Sequence, residues 1–360
     1  MKHKLHIVLS LILLLAFAGC EVHEFPTRLY DPVPFQLHLE FNTELPLYKE
    51  VIYTRSGDTE TKAPIVKHDV RYIINAYRID KARTESRVAD TTFVFTRSDL
   101  ETLNYTAPLE ICEGTYEFRV WCDYIDAGSK ADKYYDTRDF SEIILADKEN
   151  HCGSNDFRDA FRGSTTATVM NPDYYAGPIL NTIDNQATVQ MMRPMGKFKF
   201  ISTDADAFFH HVSQEYANRA DKSTTLSPAD LSLLGIDLNE FIVEFRYNIF
   251  MPCSFNMFTD KPADSWTGMR FPSRMYIDEN NELALGFDYA FVNGSETTLS
   301  ISVAVYNKEG EQLSLTNPIN VPIVRSKLTI VRGEFLTSRA TGGVVIDPSY
   351  DGDDYNVEII

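Results

Sequence analysis

Along most of its length this chain alternates apolar and polar residues with a period of two. That period rules out a helical bundle. Phe35, Leu37, Leu39 and Phe41 share one parity, and Gln36, His38 and Glu40 hold the other. The same pattern recurs at Tyr116, Phe118, Val120 and Cys122, and at Phe241, Val243, Phe245, Tyr247 and Ile249. It returns at Leu283, Leu285, Phe287, Tyr289 and Phe291, and at Leu299, Ile301, Val303 and Val305. A strand sends successive side chains to opposite faces, so each run predicts a half-buried β-strand. Val70 to Ile79, Thr92 to Thr96 and Phe140 to Leu145 are weaker strand signals, and Asn307 to Glu311 reads as a hairpin turn. Helical spacing is confined to Asp204 to Arg219, where Ala207, Phe208, His211, Val212 and Tyr216 fall near one face, and to a helix start at Ser227 and Pro228. The expected class is all-β, as sandwiches, with a few short helices in the second half. No repeat of 20–50 residues is visible.

The chain opens differently. Lys2 and Lys4 precede an apolar run from Leu5 to Phe17, and Ala18 and Gly19 stand directly before Cys20. A basic end, an apolar core and a small-residue cleavage site make a secretory signal, with a core too short to span a bilayer. The cysteine at the cut resembles a bacterial lipobox. It implies cleavage after Gly19, a thioether-linked diacylglycerol on Cys20 and an acylated new N-terminus, enough for stable anchoring in the outer membrane. On this reading residues 1–19 are the signal and 20–34, with Pro26, Pro32 and Pro34, form a stiff tether. One sandwich is expected over 35–170 and a second over 186–360. The boundary is placed in the Ser-, Thr-, Asn-, Pro- and Gly-rich stretch from Gly163 to Asn185.

Composition narrows the partners. Loss of Lys2 and Lys4 with the leader takes the formal net charge from −18 to −20 over the remaining 341 of 360 residues. Such a surface repels nucleic acid and anionic headgroups, so lipid rather than a basic patch must hold the membrane. Export permits disulfides. Cys112, Cys122, Cys152 and Cys253 remain, and one bridge from Cys112 or Cys122 to Cys152 is expected.

Motifs for catalysis are missing: there is no G-x-S-x-G elbow, H-E-x-x-H, P-loop or dinucleotide fingerprint. Adjacent His210 and His211 would point about 100° apart on a helix and chelate poorly. Asp347, Asp351, Asp353 and Asp354 lack the spacing of a calcium loop and read as a solvated turn. No cofactor or metal is expected, and no enzyme. Trp121 sits on the polar parity of its strand and is expected to be covered by a neighbouring element.

Several stretches resemble one family. Met192-Arg193-Pro194-Met195-Gly196-Lys197-Phe198 is similar to the R-P-x-[AG]-K-[FV] signature that opens the second domain of fimbrillin-like proteins. Val321 to Thr337 resembles their [IV]-P-[IL]-x-R-[NS]-x-x-T-x-x-x-G-x-[FL]-L-T segment. Gly114 to Tyr124, with Tyr134 and Tyr135, resembles the last strands of their first domain. The family is the FimB-type fimbrial anchors and related lipoproteins of type V pili. The resemblance implies two tandem transthyretin-like, Greek-key β-sandwiches and a non-catalytic part in pilus assembly, with pilin subunits as partners joined by strand exchange. The donor strand would be Tyr355 to Ile360, with Tyr355, Val357 and Ile359 on one parity. Equally, both terminal strands complete their own sheets. Processing after Arg55 would instead release the lipid and make a polymerising stalk or tip pilin. A glycan-binding surface lipoprotein, using Trp121, Trp266, Tyr174 and Tyr175, is the alternative from another class.

Overall fold

The computed structural model describes residues 31–41, 67–79 and 88–338, except 147, 150, 152, 176, 214–230 and 232–234, together with the backbone of 354–358. The chain begins with β1 (Val33–Phe41), β2 (His68–Arg78), β3 (Thr91–Arg97), β4 (Tyr105–Ile111) and β5 (Gly114–Asp126). Short β6 (Tyr135–Asp136) and β7 (Ile143–Leu145) precede β8 (Phe161–Val169) and β9 (Gln186–Met191). Then come β10 (Met195–Ser202), helix α1 (Ala205–Val212) and β11 (Ile242–Tyr247). Six strands follow: β12 (Met251–Pro252), β13 (Ser254–Asn256), β14 (Lys261–Pro262), β15 (Ser265–Trp266), β16 (Arg270–Ser273) and β17 (Tyr276–Ile277). The last are β18 (Leu283–Phe291), β19 (Glu296–Tyr306), β20 (Gln312–Leu315), β21 (Ile319–Val324), β22 (Leu328–Gly333) and β23 (Asp354–Glu358).

The period of two is realised as an all-β sandwich architecture. In the first half, sheet β4-β1-β9 faces sheet β3-β2-β5-β8. Phe35, Leu37 and Leu39 of β1 meet Tyr72, Ile74, Phe118, Val120 and Phe161 in one core, with Phe35 stacked on Phe118 at 5.3 Å. In the second half, sheet β17-β18-β10-β22-β23 faces β16-β11-β19, with β20 and β21 beyond β19. There Phe198, Phe200, Phe245, Phe271, Ile301, Val303 and Val331 share a core. Each such side chain contributes about 1.5–3 kcal/mol by leaving water. The hairpin at Asn307 to Glu311 is present, closed by the Asn307 amide on the Glu311 carbonyl.

Three local readings change. β9 and β10 divide at Arg193-Pro194, where proline has no amide to donate. β9 pairs in parallel with β1 in the first sandwich, whereas β10 pairs with β18 and β22 in the second. The sheets therefore separate between Met191 and Met195, not before residue 186. Gly163, read as linker, lies inside β8, where a Cβ would fall 2.6 Å from the Gln190 carbonyl oxygen. Finally, β2 and β18 are buried on both faces rather than one. A small sheet, β14-β13-β7-β6, joins the two halves and covers part of them, and Ile73, Trp121, Tyr135 and Phe140 extend the second core into the first half. Among the described residues no helix is long and apolar enough to cross a membrane, which says nothing of β-barrels.

Candidate functional site

Several of the residues that carry the family resemblance meet near the step from β9 to β10. Arg193 is buried and grips the Asp159 carboxylate through Nε and Nη2 at 2.7–2.9 Å, its guanidinium 4.6 Å from the Phe161 ring centroid. A planar fork on a carboxylate fixes orientation as well as charge. Lys197 reaches Asp156 at 2.5 Å and lies 4.0 Å from the Phe287 ring centroid. Gly196 is required by packing: a Cβ would sit 2.3 Å from the Val324 carbonyl oxygen. In the second signature, Arg325 donates to both Asp260 oxygens at 2.9 and 3.0 Å and to the Val292 carbonyl at 2.8 Å. Arg162 of β8 shares Asp260 at 2.6 Å. Ser326, at φ +61°, turns the chain from β21 in one sheet to β22 in the other, and Thr329 bonds the Pro322 carbonyl at 2.7 Å. Asp204 accepts from the Leu336 and Thr337 amides and the Thr337 hydroxyl. Each of these signature residues braces the sheets or their junction.

Sequence reading missed the centre of that junction. Asp288, in the middle of β18, is 1% exposed. It accepts from Arg158, from Tyr247 Oη at 2.7 Å, from the Tyr289 amide at 2.8 Å and from His151 Nε2 at 2.8 Å. Arg158 Nη1 also lies 3.1 Å from His151 Nε2. Burial alone would raise the Asp288 carboxyl, but Arg158 and His151 outweigh it and hold it below its ordinary range. Burial, then the Arg158 guanidinium, lowers His151, against the opposing pull of Asp288. His151 is therefore neutral near pH 7. An unfolded histidine takes up its proton near pH 6.5 while the folded ring does not. This contribution is present above that pH and fades as pH falls through the window below it. His151→Gln should accordingly lose less stability than the wild type between pH 7 and pH 5 in denaturant titrations. Equal losses in both proteins would refute the assignment. The signal for Asp288 in the sequence was one acid inside an otherwise apolar run, Leu283 to Phe291.

The remaining candidates are dispersed. Trp121 is fully buried and edge-on to Tyr135, so it offers no sugar-stacking face; Trp266 packs against the second core. Tyr175 donates to Glu113, and Tyr174 is exposed. His210 and His211 lie exposed on α1. No three His, Cys, Asp or Glu side chains among the described residues group as a metal site requires. Cys122 is a free thiol inside the first core, its acidity suppressed by burial. Cys253 is also free and buried, and Cys112 is half-buried after β4. Cys20, Arg55, Cys152 and Ile359 lie outside the described residues, as do residues 339–353 with Asp347, Asp351 and Asp353.

The two terminal strands differ in how they are held. β1 is central: Val33 to Leu39 pair antiparallel with Ile111 to Tyr105, and Gln36 to Phe41 pair in parallel with Gln186 to Met191. β23, which contains Tyr355 and Val357, lies at a sheet edge and among the described residues pairs in parallel with β22 alone, Leu328 to Arg332 opposite Asp354 to Glu358.

Comparison with other proteins places residues 32–359 in a match to DUF6562, described as a family of unknown function. No curated protein sequence matches the chain. Solved structures similar to it include a candidate cell adhesion protein from Bacteroides eggerthii, with 12% identity, 92% of this chain and 98% of that one covered, and a TM-score of 0.42. The fimbrial anchor protein Mfa2 from Porphyromonas gingivalis shows 11% identity, coverages of 79% and 82%, and a TM-score of 0.35. A fimbrial assembly protein from Parabacteroides distasonis shows 10% identity, coverages of 87% and 93%, and a TM-score of 0.35.

Proposed function

This chain belongs to DUF6562, a family of unknown function, and we propose that it is a cell-surface lipoprotein of a fimbrial system that anchors or terminates a pilus by β-strand exchange with a pilin. The observation that carries this reading is β23. Among the described residues it is attached to its own chain along one side, at a sheet edge. An edge strand of that kind binds by backbone hydrogen bonds, which any accepting edge supplies, while alternate side chains select the partner. The signature residues agree with a scaffold role, because Arg193, Gly196, Lys197 and Arg325 are all used in holding sheets together. Catalysis has no part in the proposal.

Anchor and stalk roles separate on β1. It forms the middle of its sheet and buries Val33, Phe35, Leu37 and Leu39, so a cut after Arg55 that released it would open the first core along its whole length. The proposed anchor keeps β1 and the lipid on Cys20 together. Intact mass and N-terminal sequencing of the protein from its native membrane test this. A chain that begins at acylated Cys20 and runs through to Ile360 is the expected result. A lipid-free chain beginning at Ser56 would make it a polymerising subunit instead.

A further inference from the structure

Five of the eight large apolar side chains that stand exposed among the described residues lie at one end of the first sandwich: Ile79, Val88, Tyr174, Ile179 and Leu180, at 43–71% exposure. The strand registers place them together. β2 ends opposite the start of β5, Arg78 beside Tyr116, with the Ile79 amide on the Thr115 carbonyl. The Asp90 amide returns to Ala76, which brings Val88 to the same end. β8 finishes at Val169 opposite Gly114, and β9 starts beside Gln36, so the connection carrying Tyr174, Ile179 and Leu180 caps that end too. It is built of two tight turns, Pro172–Tyr174 and Gly177–Thr182.

The same end is where the chain leaves toward its N-terminus. Val33 pairs with Ile111 at the start of β1, and the Gln36 amide bonds the Asn185 carbonyl at the foot of the Tyr174–Leu180 loop. From Asp31 back to Cys20 is eleven steps of at most about 3.6 Å, so the lipid attachment point lies within ~40 Å of this surface. We propose that this apolar end is a membrane-facing surface: Tyr174, Ile179 and Leu180, flanked by Ile79 and Val88, seat in the headgroup region of the bilayer into which Cys20 is acylated. The inference rests on the lipid-anchor reading above. Clustered exposed apolar groups mark an interaction surface. A tyrosine beside aliphatic side chains suits the boundary between headgroups and acyl chains. Glu113 accepts from Asn171 and Tyr175, and Asp90 from the Arg78 amide; Asp173 and Asp184 remain at this end to disfavour anionic lipid. The fitting surface is therefore zwitterionic. Docking would fix the height and tilt of the sandwiches above the bilayer, which a tether alone leaves free.

The test uses the lipidated full chain with Ile179→Trp, reconstituted in phosphatidylcholine vesicles with and without bromine on the acyl chains. Trp121 is buried and Trp266 lies in the second half, so the wild type supplies the background and Ile249→Trp, exposed in the second half, the control. Emission from the introduced indole should fall roughly twofold with brominated lipid, as for an interfacial side chain, and the control should not change. Flotation with the vesicles without that quenching, or equal quenching in the control, would overturn the docking proposal and leave the anchor intact. Failure to float would refute the anchor reading and with it the docking. A concentration-dependent blue shift before vesicles are added would assign the surface to a second copy and overturn membrane docking.

Discussion

Asp288→Asn should lower the free energy of unfolding by about 3–5 kcal/mol, since it removes one partner of a buried ion pair. The carboxylate takes donors from four directions: Arg158, His151, Tyr247 and the Tyr289 amide. An amide of the same shape keeps one acceptor oxygen but cannot neutralise the Arg158 guanidinium, which is 3% exposed and has little water to turn to. The effect should spread beyond one strand. Arg158 and His151 come from the first half and Asp288 and Tyr247 from the second, while the Arg158 carbonyl accepts from Tyr135. The hub therefore ties the two sandwiches together, and denaturant titration should show the midpoint moving for probes in both. Tyr247→Phe, which removes one hydrogen bond and no charge, should lose only about 1 kcal/mol. A loss of that smaller size in Asp288→Asn would show that Arg158 is not held by this charge.

Deleting residues 353–360 should leave the sandwiches folded and abolish capture of the pilin. Folding survives because β23 contributes an edge, and β22 keeps its pairing with β10. Binding does not, if the strand is the donor. At about 1 kcal/mol per backbone hydrogen bond, the four or five bonds of a five-residue strand predict a loss of roughly 10³–10⁴-fold in affinity. The measurement is pilin binding to immobilised full-length and truncated chains, with circular dichroism to establish that both are folded. A synthetic 353–360 peptide in excess should also compete with the full chain for the pilin. Undiminished binding by the truncated chain would eliminate exchange through this strand.

Much of the architecture was legible because it is local. Tyr116, Phe118, Val120 and Cys122 alternate in the sequence and line the first core in the structure; Leu299, Ile301, Val303 and Val305 do the same in the second. The signature residues were legible as a pattern but silent about their use. Nothing in R-P-x-G-K says that the arginine holds an aspartate 34 residues earlier, or that the glycine makes room for the Val324 carbonyl. Neither partner lies within the turn-length distances over which local patterns speak.

What the sequence determined by itself was the repeat of the backbone. A residue's parity in a pleated strand is fixed by its neighbours two positions away, so strand identity and the inward face of β1, β5 and β19 follow from short windows. The tertiary structure alone decided which strands meet and what covers their outer faces. β9 joins β1 across about 150 residues, and β22 runs beside β10 across about 130. Outer faces of β2 and β18 are closed by segments from elsewhere, which drives Asp288 out of water and obliges it to gather Arg158, His151 and Tyr247. Alternation describes one strand against water; pairing and double-sided burial depend on surfaces contributed by distant parts of the chain, and no local period encodes them.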